Sequence, residues 1–113
     1  MATPELVRGN LDMLLLAIVA DAPVHGYAAL EELRRRSDAA FDLPEGTVYP
    51  ALHRLEAAGL LASSWDETSA RKRRVYAITK RGRSVLTAKQ AEWTGFVTAV
   101  QAVLRGASWP TPA

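Results

Sequence analysis

Apolar positions recur at helical spacing in four stretches of the chain and alternate at a spacing of two in a fifth. Leu11, Leu14, Leu15, Ile18 and Val19 predict a first helix over about residues 10–20 and form its core face. Asn10 is placed to cap it, Asp12 to complement its dipole, and Asp21-Ala22-Pro23 to end it. A narrower stripe of Tyr27, Leu30 and Leu33 predicts a second helix over 26–36. Residues 37–44 are polar, end in Pro44 and read as a loop pinned to the core by Phe41 and Leu43. Val48, Leu52 and Leu55 predict a third helix over 45–58, with Gly59 as its C-terminal cap. Pro50 is expected near the first turn of that helix, where a missing N–H costs little.

Two strands are predicted next, Leu60–Trp65 and Arg74–Thr79, around a polar hairpin tip at 66–72. Tyr76, with Ile78 on the same face, and Trp65 are read as core. Thr79 is a good N-cap for a last helix ending near Leu104 or Arg105, with Leu86, Trp93, Phe96, Val97, Val100, Val103 and Leu104 as its stripe. Some 25 residues of helix reach about 38 Å, the width of the whole domain. Part of the stripe therefore stays wet unless another chain covers it. The tail from Trp109 to Ala113 is expected to be loosely ordered.

Composition narrows the class. The chain has 113 residues, 49% hydrophobic and 23% charged, which fits one globular domain with a small core. There is no cysteine, which excludes disulfides, thiolate metal sites and cysteine nucleophiles, and suits a cytoplasmic location. The apolar run Met13–Ala20 is too short to span a bilayer, and no signal peptide is read at the N-terminus. The net charge of +2 conceals an uneven distribution. Residues 1–70 carry five basic and eleven acidic side chains, whereas residues 71–83 carry seven basic and none acidic. Such a block is either a polyanion contact or a solvated loop. Arg34, Arg35 and Arg36 end the second helix, where the helix dipole alone favours cations.

Three helices, a basic-tipped hairpin and a long helix follow the order of a winged helix-turn-helix. The expected fold is α+β and mostly α: three helices plus a two-stranded wing over residues 1–79, a long C-terminal dimerisation helix over 80–105, and a flexible tail over 106–113. In such a fold the third helix enters the major groove of double-stranded DNA and the wing lies along the backbone or minor groove. Between Thr47 and Leu55 the outward face of the third helix carries no acid, which suits it to phosphates.

The motifs also carry a family likeness. Arg8-Gly9-Asn10-Leu11-Asp12, His25-Gly26-Tyr27, the run Gly46 to Glu56, Gly59-Leu60-Leu61, Ser64-Trp65, Arg71 to Tyr76, Ile78-Thr79 with Gly82, and Trp93 stand in the order found in PadR regulators. Over about residues 5–104 the sequence resembles that family, and its single C-terminal helix resembles the small branch. The resemblance implies a homodimeric repressor on a palindromic, inverted-repeat operator, released by a small hydrophobic or aromatic effector. It implies a DNA-facing set of Tyr27, Thr47, Tyr49, Pro50, His53, Arg54, Arg71, Lys72 and Arg73. It places the dimer interface and a possible effector pocket at Leu11, Leu15, Leu86, Trp93, Phe96, Val97, Val100 and Leu104. The chain departs from the family at the wing tip, where Thr68-Ser69-Ala70 replaces the usual glycines, at Val75, where a tyrosine is common, and at Asp21-Ala22, which lacks a common glycine.

Each of these residues also has a structural reading. Tyr49 either packs between helices or touches phosphate. Arg54 either pairs with an acid or binds DNA, and His25 caps or orients the start of its helix. His25 and His53 do not complete a zinc site without two carboxylates, and no cofactor is expected. No nucleophile motif or glycine-rich phosphate loop is present, so no enzyme is expected. A winged-helix protein-interaction module that has lost DNA binding is the alternative, motivated by the altered wing tip.

Overall fold

The computed structural model describes residues 4–68 and 72–108. The order is α1 (Pro4–Asp21), β1 (Val24–His25), α2 (Gly26–Arg36), α3 (Glu45–Ala57), β2 (Leu61–Asp66), β3 (Arg73–Ile78) and α4 (Lys80–Ser108). The three strands form one antiparallel sheet in the order β1-β3-β2. β2 pairs with β3 from Leu61↔Ile78 to Asp66↔Arg73, and β1 adds Val24↔Tyr76 and His25↔Val75. The expected two-stranded wing thus gains a short third strand. Two residues carry no readable alternation, which is why periodicity missed it.

One core holds the helices against the sheet. Leu15, Leu16 and Val19 of α1, Val48, Leu52 and Leu55 of α3, and Leu61 of β2 are all essentially inaccessible. Tyr76 is buried, as expected, but Trp65 is 54% exposed and is not a core residue. It stands at the distal end of β2, beyond the point where the helices can cover the hairpin.

α1 begins at Pro4, earlier than expected, so Asn10 lies inside the helix and caps nothing; its amide donates to Leu6 O at 2.7 Å. Pro50 is also deeper than expected. It is the sixth residue of α3, so its missing N–H removes one intrahelical bond, to the carbonyl of Gly46, which stands in the exposed first turn. The cap at Gly59 is confirmed. Its φ is +80°, Gly59 N donates to Glu56 O at 2.9 Å and Leu60 N to Leu55 O at 3.0 Å, the two bonds of a Schellman turn. Thr79 Oγ1 accepts from Gly82 N at 2.9 Å and so caps α4 as expected.

α4 gives the molecule its outline. The principal extents are 65 × 27 × 20 Å and the radius of gyration is 17.0 Å. A compact chain of this length has a radius of gyration of about 13 Å. The excess is α4, which packs on the core through Val85 and Leu86, runs along α1 as far as Trp93 and Phe96, and projects beyond the core at its C-terminal end.

Candidate nucleic-acid interface

α2 and α3 form the helix-turn-helix, and β2 and β3 place the wing beside α3. Thr47, Pro50, His53 and Arg54 are exposed on α3, and Tyr27 at the start of α2 is 51% exposed. Lys72 and Arg73 are exposed on the wing, and Arg71 lies outside the described residues. A cleft of about 220 Å³ separates α3 from the wing. His25, Gly26, Tyr27, Tyr49, His53, Arg73, Arg74 and Tyr76 line it. The fold therefore brings four of the expected DNA-facing side chains, Tyr27, Tyr49, His53 and Arg73, to one cleft, although they come from three separate stretches of sequence.

Two of those side chains are more committed than expected. Tyr49 is half-buried and packs on the core, and a Cβ on Gly26 would come within 3.0 Å of its ring. The glycine of the His-Gly-Tyr motif is thus the space that lets α2 meet α3. Burial, with Glu45 adding to it, pushes the Tyr49 phenol up, so the group stays a neutral donor. Arg54 forms an ion pair with Asp12 of α1.

The Arg34–Arg36 cluster takes its structural reading. Arg36 reaches Asp21 at 2.7 Å and Glu32 at 2.9 Å, Arg35 reaches Glu32 at 2.8 Å, and Arg34 lies 3.6 Å from Asp42. Hydrogen bonds from Arg35 and Arg36 hold the Glu32 carboxyl down at about 2. These cations are neutralised on the spot, and little of their charge is left for a polyanion.

Sequence reasoning missed two ties between the wing and the helices. His25 is the residue at the N-cap position of α2, but its side chain makes no capping bond. Its Nε2 instead meets Asp66 Oδ2 of β2 at 3.0 Å. Asp66 Oδ1 accepts from Thr68 N at 3.0 Å and from Thr68 Oγ1 at 2.6 Å. Those two bonds, followed by the one from His25, hold the Asp66 carboxyl at about 2. The second tie runs from Glu56 of α3 through Ser63 to Arg74. No sequence spacing links partners 41 residues apart, so only the fold could reveal the first.

The expected dimer set divides in two. Leu11 (5% exposed), Leu15 (0%) and Leu86 (8%) are buried within the protomer and have almost no surface left for a partner. Leu11 and Leu15 thus serve the chain's own core, as their helical spacing predicts, rather than the interface that the family resemblance implies. Trp93, Phe96 and Leu104 are exposed along α4, and Val97 and Val100 are half-buried. The Trp93 and Phe96 rings lie 6.1 Å apart, tilted by 37°. Trp93 also lines an apolar groove of about 330 Å³ against α1, with Leu6, Asn10, Met13, Leu14 and Phe41. Among the described residues no group of three or more His, Asp or Glu could hold a metal ion, and no helix is long and apolar enough to cross a membrane.

A helix-turn-helix whose second helix presents a polar face beside a basic hairpin defines a winged-helix DNA-binding protein. Residues 15–88 match the transcriptional regulator PadR-like family, and the chain belongs to it. It is 42% identical over 83 residues to a transcriptional regulator of Mycobacterium tuberculosis, covering 74% of this chain and 75% of that protein. The structure of a PadR family transcriptional regulator from Eggerthella lenta superposes with a TM-score of 0.78 at 37% identity, covering 88% of this chain and 86% of the other. A transcriptional regulator from Clostridium thermocellum has the same fold, with a TM-score of 0.83 at 24% identity over 90% of this chain and 97% of its own. The protein is a PadR-family transcriptional regulator, not an enzyme.

Proposed function

We propose that this regulator is a homodimeric repressor that binds an inverted-repeat operator and is released by a small hydrophobic or aromatic effector. The observation that carries the dimer is the exposed face of α4. Phe96 is 60% exposed, Val103 72% and Trp93 41% on a helix that projects past its own core. A patch of that kind on a soluble chain favours a second apolar surface, and an identical α4 is the most economical one because a two-fold pairing is self-complementary. In this reading residues 80–105 are the dimerisation helix and residues 1–79 the DNA-binding domain.

On DNA, α3 presents Thr47, Pro50 and His53 to the major groove, and the wing brings Lys72 and Arg73 to the backbone. Tyr27 and Tyr49 line the cleft, where their hydroxyls can donate to phosphate. The groove beside Trp93, at about 330 Å³, is large enough for a one- or two-ring molecule and would be closed by the partner's α4. An effector seated there would alter the angle between the two protomers and hence the half-site spacing, roughly 10 bp centre to centre.

The test is a mobility-shift titration of the purified protein on duplexes from the region upstream of its own gene, with light scattering on the same sample. The expected result is a dimer that shifts an inverted repeat and loses affinity steeply with added salt. A monomer, or the absence of any shift at low salt, overturns the proposal.

A further inference from the structure

An acid stands where a DNA-binding surface has least use for one. Glu56 lies in the last turn of α3 and faces the wing, half-buried. A carboxylate so close to a phosphate-binding face weakens association by simple charge repulsion. Its contacts supply a reason for it to be there. Glu56 Oε2 accepts from Ser63 Oγ at 2.6 Å, and Ser63 Oγ in turn accepts from Arg74 Nε at 2.9 Å. The other end of the guanidinium comes to 3.8 Å from Glu56 Oε2. The face of the same guanidinium lies over the Trp65 ring, 5.1 Å from its centroid. The recognition helix, the outgoing wing strand and the returning wing strand are thus joined by one closed set of contacts.

Beyond Tyr76 the wing is tied to the helical body at its tip by the contact of His25 with Asp66 at 3.0 Å, and along its α3-facing side by the Glu56 contacts. Leu61, Tyr76 and Ile78 anchor the base of the hairpin to the core. Ser63, Trp65 and Arg74 lie on the same face further out, and Trp65 is 54% exposed. A two-stranded ribbon beyond its core is only marginally ordered in water. We infer that Glu56 is a positioning residue: through Ser63 and Arg74 it holds the wing at the distance from α3 that DNA binding requires, and it does so without touching DNA. The inference rests on the DNA-binding reading above. It assigns the Arg74 cation to the brace rather than to a phosphate, which explains why an arginine so near the interface is paired with an acid.

The sign of one substitution separates this role from mere proximity. If Glu56 were only a nearby acid, removing its charge would tighten DNA binding. As a brace, its loss frees the wing, the cost of ordering it falls on the binding step, and affinity drops. No phosphate contact is lost, so the slope of log K against log salt stays unchanged; a lost phosphate contact would lower it by about 0.9.

The experiment is fluorescence anisotropy of the full chain on a labelled upstream duplex over a salt series, for wild type, Glu56→Ala and Glu56→Gln, each first shown by thermal melting to be folded. Glu56→Ala is expected to bind about tenfold more weakly, the equivalent of one charge-assisted hydrogen bond, with a parallel salt line. Glu56→Gln keeps an acceptor for Ser63 and should lose less. If Glu56→Ala does not fold, the glutamine variant decides alone. Binding as tight as wild type, or tighter, in either variant overturns the inference, and so does a shallower salt slope. Amide exchange in the free protein gives a second readout. Residues 64–66 and 73–75 should exchange faster in the variants, and unchanged rates also overturn the brace. A wild type that binds no duplex would refute the DNA-binding reading, while the exchange rates would still decide for or against the brace.

Discussion

Gly82 sits in the first turn of α4, directly over the cap that ends α3. A Cβ built there would lie 2.1 Å from Leu60 O, 2.8 Å from Ile78 Cγ1 and 3.0 Å from Leu60 C. The Leu60 carbonyl cannot step aside freely, because it accepts from Thr79 N at 3.1 Å. Two effects oppose each other in Gly82→Ala. Helix propensity favours alanine by up to about 1 kcal/mol. Overpacking costs typically about 1–3 kcal/mol, towards the upper end when the obstacle is backbone, and loosening the Thr79 bond adds about 1 kcal/mol. The steric terms win, with a net loss of about 2 kcal/mol. For a domain of this size that lowers Tm by roughly 10 °C. Gly95→Ala is the control, since a Cβ there meets nothing within 4 Å. It should gain up to about 1 kcal/mol and melt higher. Circular-dichroism melts at matched protein concentration read both variants, because the Tm of the proposed dimer would depend on concentration. A Gly82→Ala protein that melts at or above wild type refutes the argument that close approach to Leu60 sets how α4 leaves the winged domain.

Trp93→Glu combined with Val100→Glu should convert a dimer into a poorly soluble or unfolded monomer by light scattering; a well-folded monomeric wild type would contradict this. Asp12→Asn should release Arg54 from its ion pair, tighten DNA binding and steepen the salt slope by about 0.9 in anisotropy titrations, while an exposed pair of this kind changes stability by no more than about 1 kcal/mol. Asp66 and Glu32 are both held at about 2, from ordinary values of 3.8 and 4.5. Because both are lowered by folding, the stability they contribute is complete above about pH 4.5 and is lost as pH falls towards 2. Denaturant midpoints should fall across that window, and Thr68→Val, which removes the side-chain hydrogen bond that does most to lower the Asp66 carboxyl, should move its NMR titration back up.

Much of the fold was legible in local pattern. The stripes Val48, Leu52, Leu55 and Tyr27, Leu30, Leu33 placed α3 and α2 within a residue or so, and Gly59 and Thr79 marked caps that the backbone confirms. The basic block was legible as a wing because it fell between two alternating runs. Less legible was which side of an apolar helix faces inward. Leu11, Leu15 and Leu86 belong to the same kind of stripe as Trp93 and Phe96, yet the first three are buried at home and the last two are exposed. Periodicity reports that a face is apolar; it carries no information on how far the core extends along it. Trp65 failed for the same reason, standing one pair beyond the covered part of its strand.

The charged residues divide along a similar line. Sequence alone determined where cations concentrate and that the face of α3 between Thr47 and Leu55 carries no acid, because both are properties of neighbouring positions. Only the tertiary structure decided which of those cations are already spent. Arg54 meets Asp12 across 42 residues. Arg74 meets Glu56 only because the hairpin folds back beside α3. An ion pair depends on distances of a few ångströms between side chains, and such distances between remote segments exist only once the core has brought the elements together.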